Sequence, residues 1–171
     1  MSYEKIKPVE YTEAELRELW RCEYCRKVIH THDGIRVRFY EDQFDHAFYE
    51  STNRKKANKD ALSYARLEKM LWIKDVLADA SAKMYVGWDK KTKSYNTNKR
   101  VSIVKEDYVV VIGIIKDTEA KFITAYNADS PHTKAQIIKS PEWKNKKDAD
   151  YWFSVRNLCR FPTKGRDGTN V

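Results

Sequence analysis

The sequence predicts an α+β fold: a long helix packed on an antiparallel sheet of about four strands, with a small N-terminal β-hairpin unit. Three observations predict it. Between Asp60 and Ala80, the residues Leu62, Ala65, Leu67, Leu71, Ile73, Val76 and Leu77 recur at close to the helical period with few breakers. Lys83 to Val86, Arg100 to Val104, Tyr108 to Ile115 and Phe122 to Tyr126 are β-rich runs, and the second and third of them are joined by a tight Lys105-Glu106-Asp107 connection. His32-Asp33-Gly34 lies between two further β-rich runs, Lys27 to Thr31 and Ile35 to Tyr40, and Asp-Gly in that setting favours a hairpin. Helix and sheet each have an apolar side to bury, so they pack on one another.

In chain order, Thr12-Glu13-Ala14-Glu15 reads as a capping box that opens a short helix to about Trp20. Cys22-Glu23-Tyr24-Cys25 reads as a turn leading into the hairpin. Phe44 to Tyr49 is rich in aromatic residues, and Ser51 to Lys59 is polar. Gly87 to Asn98 is polar and turn-rich and reads as a loop. Val109-Val110-Val111-Ile112 is apolar on both strand faces, which places it at the centre of the sheet. Asp129-Ser130-Pro131 starts a helix over His132 to Lys139, with Pro at its first turn. A further helix is expected around Asp148 to Leu158, and a mobile tail from Pro162. The expected division is an N-terminal helix and hairpin appendage over residues 1–43, an α+β domain over 44–161 and a flexible tail over 162–171.

Composition narrows the classes. A chain of 171 residues is long enough to bury a core without disulfides, and 13% aromatic residues argue against disorder. The longest apolar run, Tyr108 to Ile115, is too short for a membrane-crossing helix. The first twenty residues contain no apolar segment of the kind a signal peptide needs. Three cysteines, Cys22, Cys25 and Cys159, do not look like a secreted disulfide framework, so a cytoplasmic location is expected. The net charge is +8 and the pI about 9.3, which suits a polyanionic partner as well as a solvated lysine-rich surface. The excess is uneven: Asp89 to Arg100 holds five Lys/Arg against one Asp.

Several side chains stand out for their chemistry. Cys22-x-x-Cys25 has the spacing of half a zinc site, and a structural zinc would draw its other ligands from His30, His32 and His46. Two unligated cysteines in a turn is the plainer reading. His46 sits among Phe44, Phe48 and Tyr49 beside Asp45, and histidine is the side chain best suited to move protons near neutrality. A core histidine satisfied by the backbone reads the same way. His132, at a helix start, is a second candidate. Arg66 and Lys74 lie on the long helix, where neighbouring acids could pair with them on a solvated face. Arg100 opens a strand, where a guanidinium can grip a phosphate with two hydrogen bonds. Thr124 and Tyr126, two apart on a strand, point to the same face. Trp88, Tyr95, Tyr126 and Trp72 could stack on bases, with Lys90 and Lys91 beside Trp88 for the backbone. The Gly-rich phosphate loops and the G-x-S-x-G elbow are absent from the sequence, which argues against an NTPase, a dinucleotide enzyme or an α/β-hydrolase.

The order Phe44-Asp45-His46-Ala47-Phe48-Tyr49, Tyr64-Ala65-Arg66, Tyr85-Val86-Gly87-Trp88-Asp89, Arg100-Val101, Tyr108 to Ile112 and Phe122 to Tyr126 resembles the barnase–EndoU–colicin–RelE nuclease superfamily. The likeness is to its phage and mobile-element branch and covers about residues 44 to 143. The resemblance implies a metal-independent endoribonuclease, often a toxin with an immunity or antitoxin partner, that acts on RNA and leaves a 2′,3′-cyclic phosphate. It implies a site built from His46, Arg66, Arg100, Thr124 and Tyr126. His46 would be the acid or base, the two arginines would clamp the phosphate, and the hydroxyls would position it. Trp88, Lys74, Lys90 and Lys91 would bind substrate. A nucleic-acid-binding module without catalysis, and an HNH-like metal-dependent nuclease using His46 and the cysteine pair, are the alternatives.

Overall fold

The run that is apolar on both faces is the middle of the molecule. The computed structural model describes residues 3–52, 59–89, 93–95 and 100–145. The first helix, α1 (Glu13–Trp20), starts at the expected capping box: Thr12 Oγ1 accepts from the Glu15 N–H (3.3 Å), and the Thr12 N–H donates to Glu15 Oε2 (2.7 Å). A π-helical turn, Arg21–Cys25, continues it. The hairpin follows as β1 (Ile29–His30) and β2 (Arg36–Arg38), with Gly34 at φ +89°, a backbone state that favours glycine. Then come α2 (Gln43–Phe48), the short pair β3 (Tyr49–Glu50) and β4 (Ala61–Leu62), α3 (Tyr64–Leu67) and α4 (Trp72–Ala78). The strands β5 (Lys83–Val86), β6 (Trp88–Asp89), β7 (Ser94–Tyr95), β8 (Arg100–Lys105), β9 (Tyr108–Lys116) and β10 (Glu119–Asn127) precede α5 (Pro131–Lys139). Among the described residues no helix is long and apolar enough to cross a membrane.

The sheet is larger than the four strands expected. Its order is β1-β2-β10-β9-β8-β5, and β2 runs parallel to β10. The hairpin expected to be an appendage is therefore part of the main sheet. The core agrees: Leu16, Trp20 and Tyr24 are buried in one cluster with Phe39, Phe48, Ile112 and Phe122. The Trp20 ring meets four others, and its Nε1–H donates to the Tyr40 carbonyl (3.1 Å). Local turn signals show the hairpin; they carry nothing about which distant strand covers its edge. The helix near Asp148, the tail, Lys90, Lys91 and Cys159 lie outside the described residues.

The single long helix expected over residues 60–80 is also corrected. Ala61 and Leu62 are paired as a strand, and the remainder breaks between α3 and α4. The Tyr24 hydroxyl is inserted on the α4 side of the break. It donates to the Met70 carbonyl (2.5 Å) and accepts from the Lys74 N–H (3.4 Å), which are the two groups an unbroken helix would pair with each other. Around the break the chain tightens into i→i−3 bonds, such as Met70 N–H to Leu67 O (2.9 Å), and Met70 and Ile73 stay fully buried.

A second tie holds the N-terminal segment. The Asp79 carboxylate accepts from the Ser81 hydroxyl (2.6 Å), the Tyr3 hydroxyl and the Ser81 N–H (2.8 Å), and pairs with Lys105 (3.0 Å). These bonds, Ser81's first, hold its carboxyl well below the ordinary 3.8.

Two outcomes are expected. Tyr24→Phe leaves the Met70 carbonyl and Lys74 N–H short of their bridge, and urea unfolding should show a loss of about 1–3 kcal/mol. The lowered Asp79 carboxyl stabilises the fold above its unfolded value, and that contribution is lost as pH falls through the folded one. Unfolding measured between about pH 4 and pH 2 should therefore show a shallower acid decline for Asp79→Asn than for the wild type.

Candidate nucleic-acid interface

Alternation along the central strands gives the sheet two unlike faces. Val101, Ile103, Val110, Ile112 and Phe122 face the helices and belong to the main core. Val109, Val111 and Ala128 form a smaller buried cluster on the other face, against Ile137 of α5. Beside that cluster the outer face, α5 and the β6–β7 pair enclose a cleft of about 950 Å³.

A β-bulge decides which side chains enter the cleft. Phe122 pairs with Ile112, but Thr124 pairs with Val111, so Ile123 is the extra residue. Without it Thr124 would continue the phase of Ala120 and Phe122 into the core. With it Thr124 and Tyr126 line the cleft, and Ala125 between them is buried in the core. Across the sheet, Tyr85, Ser102, Val111 and Thr124 are successive partners in one row. Arg100 shares the face of Ser102 two residues earlier on β8 and pairs with Gly113.

The cleft is lined by cationic, hydroxyl and aromatic groups together with apolar ones, among them Val86, Ile123 and Ile137. Arg100 is its guanidinium, and Ser102, Thr124 and Tyr126 bring hydroxyls. Among the described residues none of these four side chains is engaged in a hydrogen bond or ion pair. Arg17, Arg21, Arg26 and Arg38, by contrast, are all held by carboxylates. Burial raises the Tyr126 phenol, so it keeps its proton and can donate. At the mouth Trp88 and Tyr95 are 47% and 45% exposed, with ring centroids 5.0 Å apart and edge to face. From α5, His132, Gln136 and Lys139 reach the cleft, and His132 Nε2 lies 3.0 Å from Gln136 Nε2. With the amide turned so that its oxygen accepts from Nε2–H, Nδ1 keeps a free lone pair and can take a proton; with the amide nitrogen donating, Nδ1 carries the proton and the neutral ring can only bind.

The residues expected as one site are thus divided. Arg100, Thr124, Tyr126 and Trp88 meet in the cleft and are joined by His132. His46 and Arg66 do not line it. They lie in the helical layer, where Arg66 Nη1 donates to the Ala47 carbonyl (3.2 Å). Lys74 does not line the cleft either; it is paired with Glu23, which also accepts from Lys27 (2.9 Å). Cys22 and Cys25 lie in the π-helical turn, not in a hairpin knuckle. Cys22 Sγ contacts Glu18 (3.5 Å) and Arg26 (3.4 Å), and burial raises the Cys25 thiol. Among the described residues no group of three or more His, Cys, Asp or Glu is placed to hold a metal ion. Ser102, Gln136 and Lys139 were not singled out in the sequence. Ser102 had a signal, since it lies two residues from Arg100 on the same strand; the α5 residues had none, because their place depends on how that helix returns across the sheet.

Gly87 is packed against Arg100: a Cβ there would lie 2.7 Å from Arg100 Cβ, and the Gly87 N–H donates to the Arg100 carbonyl (2.9 Å). Gly87→Ala should therefore push β5 and β8 apart at the cleft, costing about 1–3 kcal/mol in urea unfolding and shifting the Arg100 Nε–H resonance.

Compared with protein-family models, with curated proteins and with solved structures, the chain matches none of them.

Proposed function

We propose that the cleft on the outer sheet face binds a single RNA strand and cleaves it by metal-independent transphosphorylation. The observation that carries the reading is the Arg100 guanidinium beside three hydroxyls, none of them partnered among the described residues, in a cleft that two exposed rings also line. A cation and neutral donors suit a phosphodiester, whose non-bridging oxygens gain negative charge as a fifth oxygen approaches phosphorus. Trp88 and Tyr95 suit the neighbouring bases, each stacked base contributing about 1–3 kcal/mol whatever its sequence. The basic balance of the chain supplies long-range attraction for the strand.

His132 brings an imidazole to the cleft and takes the part the resemblance gave to His46. Its imidazole accepts the 2′-hydroxyl proton while the 2′-oxygen bonds to phosphorus. It returns the proton to the 5′-oxygen as that bond breaks, leaving a 2′,3′-cyclic phosphate and a 5′-hydroxyl. Arg100, Thr124 and Tyr126 hold the phosphoryl oxygens, and Gln136 fixes the ring of His132. A second reading, strand binding without cleavage, draws on that same Gln136 contact, which would equally suit a histidine that only binds.

The test is incubation of labelled RNA with the protein, with and without EDTA, followed by analysis of the product ends. EDTA-resistant cleavage leaving cyclic phosphate is expected. Arg100→Ala should lower the rate about 10²–10³-fold, and His132→Ala should lower it comparably, while His46→Ala should leave it near wild type. Salt-sensitive binding without cleavage would favour the second reading. Loss of cleavage with EDTA, or loss with His46→Ala alone, would overturn the proposed mechanism.

A further inference from the structure

Three basic side chains converge in the helical layer, on the face of the sheet opposite the cleft. Lys59 Nζ donates to the carbonyl of His46, and Arg66 Nη1 donates to the carbonyl of Ala47, the next residue (3.2 Å). Both cations therefore sit over the C-terminal turn of α2, beside the His46 ring. Of the acids beside them, Asp45 pairs with Arg17 (2.5 Å), and Asp60 accepts from the Thr52 N–H (2.9 Å) and hydroxyl (2.7 Å). Among the described residues neither Lys59 nor Arg66 has a carboxylate partner. The sequence of residues 53–58, Asn-Arg-Lys-Lys-Ala-Asn, contains no acid.

The arrangement is electrostatically uncompensated. A helix end offers about half a negative charge, and this one faces two fixed cations and a histidine. The histidine responds: burial and then the charges of Lys59 and Arg66 lower its pKa. Each cation spends only one of its donors on the backbone, and an Arg has five and a Lys three. A compact oxyanion with several acceptor oxygens would take up the free donors and remove the repulsion.

We propose that His46, Lys59 and Arg66 form a phosphate-binding site, separate from the cleft and able to hold either a phosphodiester of a nucleic-acid backbone or a free phosphate. The site does not depend on the ribonuclease reading, since it can fill whether or not the cleft cleaves anything.

The test follows the His46 ring resonances and the melting temperature during titration with inorganic phosphate, with chloride adjusted to keep ionic strength constant. Saturable movement of the His46 ring and a rise in melting temperature are expected. Both should be weakened about tenfold or more in Lys59→Ala/Arg66→Ala, and both should persist in Arg100→Ala. A short 2′-deoxy oligonucleotide added to the phosphate-bound protein separates the sources: displacement of phosphate assigns the site to a nucleic-acid backbone, and retention assigns it to the free ion. A His46 ring that phosphate does not move, or that it moves equally in the double variant, would overturn the proposal. The wild-type titration alone decides the matter should the double variant fail to fold.

Discussion

One extra residue in β10 governs what the outer face of the sheet presents. Ile123 interrupts the pairing with β9, and the side chains after it change face. Before the bulge, Ala120 and Phe122 pack into the helical core. After it, Thr124 and Tyr126 stand on the opposite face beside Ser102 and Arg100. The same strand thereby anchors the aromatic cluster around Trp20 and furnishes polar groups to the wall of the cleft. A regular β10 would bury two polar side chains among apolar ones, at the cost of unpaired hydroxyls in the core.

The bulge holds its place because both faces of the sheet are anchored. On the inner face Trp20, Phe39 and Phe122 pack ring to ring, and Gln43 Nε2 donates to the Phe122 carbonyl (2.5 Å), beside the irregular step. Residues 141–143 cover the free edge of β5: the Val86 N–H donates to the Pro141 carbonyl (2.8 Å) and the Trp143 N–H to the Met84 carbonyl (3.0 Å). The cleft is thus set on paired strands rather than on loops, which keeps its cation and hydroxyls in fixed relation. Carboxylates hold the arginines of α1 and its π-helical turn, whereas among the described residues Arg100, Lys59 and Arg66 have no carboxylate partner.

Much of the fold was legible because its signals are local. The capping box at Thr12, the Asp-Gly hairpin, the doubly apolar strand at Val109 and the Pro-initiated α5 each depend on neighbours in sequence. The break in the helix after Leu67 was not legible, because a contact made there, the Tyr24 hydroxyl on the Met70 carbonyl, comes from far away in sequence. The parallel pairing of β2 with β10 was hidden for the same reason. The site was legible where spacing alone fixes a face: Thr124 and Tyr126 lie together by strand alternation, and Arg100 begins a strand on that face. His46 was attractive for its aromatic neighbours, but those neighbours turn into the core and leave it on the other side of the sheet. The order of the motifs carries no statement about which sheet face each one reaches.

The central claim is that the outer face, with Arg100 and the Trp88–Tyr95 pair, is where a nucleic-acid strand sits. It is tested most directly by titrating the protein with a non-cleavable 2′-deoxy-substituted oligonucleotide while following the Trp88 Nε1–H and Arg100 Nε–H resonances. The account predicts that both move together with one dissociation constant, and that Gly87→Ala weakens both responses. Binding that leaves the two resonances in place would contradict it.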